Sequence, residues 1–160
     1  MFVLARALTY ATLFIGLVLI FVPSRVLSWS GVTPPTEFGI WQGAAMIVGT
    51  AGAAVALSCI LTFALVGKGT PLPLDPPRRL VVRGPYRVVR NPMYLGAGLA
   101  LGGAALFYQS LALAGYTGLF LLTMHVFVVA YEEPTLRQTF GDDYEVYCGQ
   151  VRRWWPRSPT

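Results

Sequence analysis

Charge is what this sequence has least of. Only 12% of its 160 residues are Asp, Glu, Lys or Arg, against roughly a quarter in globular proteins, while 55% are hydrophobic. With a mean hydropathy of +0.59, that scarcity excludes an ordinary soluble domain and points to one domain in a membrane. Cysteine is scarce too. Cys59 lies in an apolar run and Cys148 near the end of the chain, with no CxxC spacing, so neither a disulfide framework nor a metal site is indicated. Acids are the rarer charge, seven against twelve Lys and Arg, for a net +5. In a soluble protein that balance could signal nucleic acid, but here it has to be read loop by loop.

Crossing a hydrocarbon layer of about 30 Å takes about 20 apolar residues in a helix. Three stretches qualify. Phe2 to Val22 is interrupted only by Arg6 and is followed by Pro23; no small-residue cleavage site follows, and Val22-Pro23-Ser24-Arg25 reads as the end of a retained helix. Ile40 to Val66 has no charge and carries Gly49, Gly52, Ala53 and Ala56, small residues that let helices approach closely. Asn91 to Tyr131 has no acid, Lys or Arg over about 40 residues, and as one straight helix would be about 60 Å long, twice the membrane thickness. It must fold back. Tyr108-Gln109-Ser110 is its most polar interruption, which predicts a hairpin with arms from Met93 to Phe107 and from Leu111 to Tyr131.

The charges orient these segments. Between Gly67 and Pro92 stand Lys68, Arg78, Arg79, Arg83, Arg87 and Arg90 against a single Asp75, which by the positive-inside rule makes the loop cytoplasmic. The pattern predicts an all-α polytopic membrane protein of about four transmembrane helices with both termini cytoplasmic. Its parts are two N-terminal helices in 1–66, the basic loop 67–92, the hairpin 93–131 and a tail 132–160. Positive charge is then a topology signal, and no nucleic-acid partner is expected. In the tail, Leu136, Phe140, Tyr144, Tyr147 and Val151 fall on one helical face, with Gly141 splitting it into two short helices and an Asp capping the second. Trp154 and Trp155 among Arg152, Arg153 and Arg157 suit an interfacial, amphipathic tail in contact with membrane lipids.

A hairpin returns its ends to one face, so Arg90-Asn91 and Glu132-Glu133 become neighbours. Acids beside an embedded bundle are costly to desolvate and are functional candidates; the alternative is that both glutamates mark a helix end in headgroup water. Asn91-Pro92 reads as a helix start, Asn91 as cap and Pro92 at the first position. A helix N-terminus seats a carboxylate or phosphate. With a carboxylate opposite and Tyr86 and Tyr94 nearby, the inventory suits S-adenosylmethionine, and it suits NADPH as well.

The run Leu80-Val81-Val82-Arg83-Gly84-Pro85-Tyr86-Arg87-Val88-Val89-Arg90-Asn91-Pro92-Met93-Tyr94-Leu95-Gly96, followed by Glu132-Glu133 and by Phe140-Gly141 with Tyr144 and Tyr147, resembles the isoprenylcysteine carboxyl methyltransferase family. That group of integral membrane methyltransferases is also similar to phospholipid N-methyltransferases. The resemblance covers residues 78–156 and implies an S-adenosylmethionine site on the cytoplasmic side. Carried over by position, cofactor contacts fall on Leu80, Val81, Tyr86, Arg90, Asn91, Pro92, Met93, Tyr94 and Glu132. It also implies a lipophilic or small-molecule methyl acceptor entering from the bilayer, and transfer of the sulfonium methyl to an O, N or S atom. Orientation and exclusion of water would carry most of the catalysis, with Glu133 or Tyr94 as base where the acceptor arrives protonated.

Two positions depart from the pattern. Asn91 stands where many members have His, which removes a titratable imidazole. Val128 stands where the prenylcysteine enzymes have an Arg serving the substrate carboxylate, and Val cannot pair with a carboxylate. The competing expectations are an NADPH-dependent reductase, since membrane sterol reductases look similar in their C-terminal region but are longer, and a non-catalytic membrane subunit of the same fold. His125, mid-helix among Met124, Val126 and Phe127, reads as a packed or helix-bonded residue, and Arg152 and Arg153 as membrane-surface anchors, the alternative being partners of an anionic headgroup or of the cofactor carboxylate.

Overall fold

The computed structural model describes residues 12–13, 15–63 and 80–157. All regular elements among them are helical. The expected start of the first helix with Arg6, and the stretch holding Lys68, Asp75, Arg78, Arg79 and the prolines 71, 73, 76 and 77, lie outside the described residues.

The first helix corrects the sequence expectation. A π-helical turn, Ile15–Phe21, runs directly into α1, Val22–Trp29, so the helix passes through Pro23 instead of ending there. Proline in a helix lacks the N–H and strikes the carbonyl four residues back. A widened turn immediately before it moves that carbonyl aside. The same device recurs near the other end of the chain, where the π turn Val128–Glu132 precedes Pro134 in the first turn of α5, Glu133–Phe140.

The remaining boundaries follow local chemistry. Helix α2, Ile40–Thr62, begins where the Gly39 N–H donates to Gln42 Oε1 at 3.0 Å. Helix α3, Pro92–Phe107, opens on its proline, and α4, Leu111–Phe127, follows the expected turn at Tyr108-Gln109-Ser110. The buried Ser110 hydroxyl accepts the Leu113 N–H at 3.2 Å. Ser110→Ala is therefore expected to destabilise the hairpin by about 1 kcal/mol, measurable by thermal unfolding in detergent; an unchanged midpoint would show that the cap carries nothing.

The second arm is longer than expected. It does not stop at Tyr131 but continues through the π turn and α5 to Phe140, where Gly141 takes φ +51° and ends it. Helix α6, Asp142–Gln150, has Gly141 at its N-cap position and no side-chain cap bond, so neither Asp142 nor Asp143 plays the capping role assigned from sequence. Their charge still complements the helix N-terminus.

Helices α2 and α3 pack on a seam of small residues. A Cβ on Gly52 would come within 2.5 Å of the Ala100 nitrogen, and one on Gly103 within 2.6 Å of Gly49 Cα. Gly49, Gly52 and Ala56 thus do what their spacing implied, whereas Ala53 is exposed and lies off the seam. On its other side α3 packs on α4 through Ala97, Leu101 and Phe120, and the first helix joins this cluster with Val18 and Leu19. The Tyr116 hydroxyl donates to the Val18 carbonyl at 2.9 Å.

Among the described residues two helices are long and apolar enough to cross a membrane, Ile40–Thr62 and the continuous Leu111–Phe140, with mean hydropathies of 2.1 and 1.8. Only 17% and 22% of their most apolar windows are buried, which is not how a soluble core helix behaves. Two shorter apolar helices, Ile15–Trp29 and Pro92–Phe107, accompany them.

Candidate functional site

The base of the hairpin is the polar end of the bundle. Tyr94, in the first turn of α3, donates its hydroxyl to Glu132 Oε2 at 3.0 Å across the 38 residues that separate them in sequence. The two hairpin ends do meet, as the charge-free run required. Glu132 closes the π turn and Glu133 opens α5, so successive carboxylates are directed to different neighbours.

Glu133 is 3% exposed and serves arginines. Its Oε1 and Oε2 accept from Arg153 Nε and Nη2 at 2.7 and 2.8 Å, a bidentate fork. Arg90 Nη2 stands 3.1 Å from Oε1 and Arg137 Nη1 3.7 Å from Oε2. A carboxylate withdrawn from water is tolerated when it is paired and hydrogen-bonded in this way. Arg90 also donates to Cys148 Sγ, while its Nε is buried without a hydrogen-bond partner among the described residues.

Asn91 occupies the N-cap position of α3 but makes no side-chain cap bond. Its Nδ2 donates instead to the Arg153 carbonyl at 3.2 Å, and the Arg90 N–H donates to the Arg152 carbonyl at 2.9 Å. The chain after α6 is thereby stitched across the start of α3. Arg153 is not the free surface anchor its neighbourhood implied. Trp154 is likewise engaged, its indole N–H donating to His125 Nδ1 at 3.0 Å, whereas Trp155 is 75% exposed.

Tyr86 stands in a 3₁₀ turn, Gly84–Arg87, entered through Gly84 at φ +57°. Its ring packs with Cys59, Val81 and Met93 and meets Phe63 edge-on at 5.2 Å. Burial first, then Cys59, Glu132 and Tyr94, push the Tyr86 phenol well above its ordinary range. The Tyr147 hydroxyl donates to the Tyr86 carbonyl at 2.6 Å, locking α6 beneath the turn.

Most of the expected site residues are thus brought together, but not all on one wall. Val81 and Tyr86 are buried in one apolar cluster with Met93 packed against it, and Tyr94, the next residue in the chain, holds Glu132. Leu80 points elsewhere, packing with Tyr144, Tyr147 and Val151. Pro92 is buried at the helix start, and Val128, fully buried, adds no polar group. Sequence reasoning missed Arg153 as a partner of Glu133, and Cys59 and Phe63 as neighbours of Tyr86. An open groove of about 540 Å³ lies at the far end of the hairpin, against Trp41, Ser110 and Thr117, away from these residues.

In chemical terms the end of the bundle offers one carboxylate hydrogen-bonded by a phenol, a buried aromatic cluster around Tyr86, and a neutralised ion-pair cluster at Glu133. A carboxylate so placed can accept hydrogen bonds from hydroxyl or ammonium groups of a ligand.

No curated protein and no solved structure matches the chain at significance. The pattern of the phospholipid methyltransferase family matches residues 38–143, which spans α2, the whole hairpin, both glutamates and the start of α6. The chain belongs to the phospholipid methyltransferase family, integral membrane methyltransferases related to the isoprenylcysteine carboxyl methyltransferases.

Proposed function

We propose that this chain is an S-adenosylmethionine-dependent membrane methyltransferase whose cofactor is held at the base of the hairpin and whose acceptor is a lipophilic or small molecule with a nucleophilic O, N or S atom. The observation that carries this is the Tyr94–Glu132 hydrogen bond, which builds an oriented carboxylate inside the residues matched to the family. Four membrane segments with both termini cytoplasmic complete the proposal, supported by the basic character of 67–92 and by the two shorter apolar helices that accompany the two long ones.

The residues fit the cofactor's chemistry. Glu132 accepts from ribose hydroxyls or from an ammonium, Tyr94 orients it, and Val81, Tyr86 and Met93 supply the apolar wall for a base. Asn91, Pro92 and Arg90 hold the start of α3 in place, and Leu80 contributes through its packing on the tail. S-adenosylmethionine bound there would supply a methyl group on a positively charged sulfur that departs as a neutral thioether. The chain's part is to orient and to exclude water. Glu133, engaged by arginines, holds the site and does not move protons. With Val128 buried and apolar where an acceptor carboxylate would need a cation, the acceptor is not recognised there through a carboxylate.

The test is calorimetric, on the purified protein in detergent with S-adenosylmethionine and with NADPH. Wild type is expected to bind the first and not the second. Glu132→Ala should weaken binding by about 10–100-fold, the worth of one or two hydrogen bonds to a charged group. Binding of NADPH instead, or unchanged affinity in Glu132→Ala, would overturn the assignment.

A further inference from the structure

The segment after α6, residues 151–155, lies beyond the residues matched to the family, yet it touches both halves of the candidate site. Starting from Tyr94, contacts run in a closed ring. Tyr94 donates to Glu132, whose chain neighbour Glu133 is gripped by the Arg153 fork. The Arg153 carbonyl accepts from Asn91, which immediately precedes α3, and α3 carries Tyr94. The Arg152 carbonyl accepts the Arg90 N–H and doubles the stitch.

Two features make Arg153 the decisive member. A bidentate guanidinium–carboxylate pair fixes both the distance and the plane of the carboxylate, which a single contact does not. Arg90, the other close partner of Glu133, is imperfectly satisfied, with its Nε buried and unpartnered among the described residues. The π turn adds the mechanical link. Glu132 is its last residue and Glu133 the next, so locking Glu133 sets the rotation of the turn that presents Glu132.

We infer that Arg153 is a positioning residue: through Glu133 and Asn91 the post-helical segment latches the two ends of the hairpin and holds Glu132 on Tyr94 in the geometry that receives the cofactor. The inference rests on the cofactor assignment above, but its mechanical half can be read without any cofactor.

Full-length wild type, Arg153→Gln, Arg153→Lys and, as a control in the same segment, Trp155→Ala would be compared by S-adenosylmethionine calorimetry and by hydrogen exchange without ligand. Arg153→Gln is expected to weaken S-adenosylmethionine by about tenfold, as when only about a tenth of the molecules keep Glu132 in the receiving geometry, and to speed exchange in residues 91–96 and 128–134 together. Arg153→Lys keeps the charge without the fork and should recover part of both effects, while Trp155→Ala should behave as wild type. Wild-type affinity in Arg153→Gln would overturn the inference, as would an affinity loss equal in the Lys and Gln variants with exchange raised evenly through the chain. If wild type itself fails to bind S-adenosylmethionine, the cofactor assignment falls, and exchange alone then decides the latch: unchanged rates in Arg153→Gln overturn it.

Discussion

Replacing Glu133 by Ala is expected to cost about 3–5 kcal/mol of stability, the range found when one partner of a buried ion pair is removed. The carboxylate is 3% exposed and faces the Arg90, Arg153 and Arg137 side chains, which are 11%, 32% and 46% exposed. Arg137 has water and Glu145, 2.7 Å away, to fall back on, so its share of the cost is small. Arg90 does not. Stranded beside Cys148 with its Nε already unpartnered among the described residues, it would keep its charge in a site that no longer neutralises it. Glu133→Gln retains an acceptor oxygen for the Arg153 fork and should lose less. Thermal and denaturant unfolding of the three proteins in one detergent would order them wild type, Gln, Ala. An Ala variant within 1 kcal/mol of wild type would show that the cluster is solvated.

A valine at Gly52 or at Gly96 should be nearly as damaging, by about 3 kcal/mol or more, the upper part of the overpacking range. The obstacles are backbone atoms. A Cβ on Gly52 meets the Ala100 nitrogen at 2.5 Å and the Gly96 oxygen at 2.6 Å, and one on Gly96 meets the Ala56 nitrogen and the Gly52 oxygen at 2.8 Å. No side-chain rotation relieves such contacts, so α2 and α3 would have to separate along the seam. That displacement reaches the site, because Cys59 on α2 packs against Tyr86 and the start of α3 carries Tyr94. Loss of stability and of S-adenosylmethionine binding together is the expected result. Gly118→Ala is the internal comparison: nothing lies within 4 Å of the added methyl group, so it should be neutral or raise the midpoint slightly. Equal behaviour of the Gly52 and Gly118 variants would mean that the seam is not closely packed.

Much of the architecture was legible from sequence because it depends on length and polarity along the chain. A charge-free run of about 40 residues cannot be one membrane-crossing helix, so the hairpin and its turn at Tyr108-Gln109-Ser110 followed from bilayer thickness. The juxtaposition of Asn91 with the Glu132–Glu133 pair followed from the hairpin. The apolar face Leu136, Phe140, Tyr144, Tyr147 and Val151 followed from helical spacing and forms one cluster, though split by Gly141.

What local pattern did not reveal was how particular side chains are spent. Pro23 and Pro134 carry the same helix-breaking signal, yet both are absorbed by π turns, and nothing in their immediate neighbours announces a widened turn. Asn91 has the propensity of a cap and gives its amide to Arg153 instead. Glu132 and Glu133 are chemically identical neighbours, so no spacing rule can say that one meets a phenol and the other arginines.

By itself, then, the sequence determined an apolar helical chain, its hairpin, its charge placement and, through its motif, its family, since each of these is set by residue type and order. Only the tertiary structure decided which glutamate meets the Tyr94 hydroxyl and which is taken up by arginines. That choice is made by Arg153, 62 residues from Asn91 and 20 from Glu133, and contacts at such separations depend on where the tail folds back and not on any local preference.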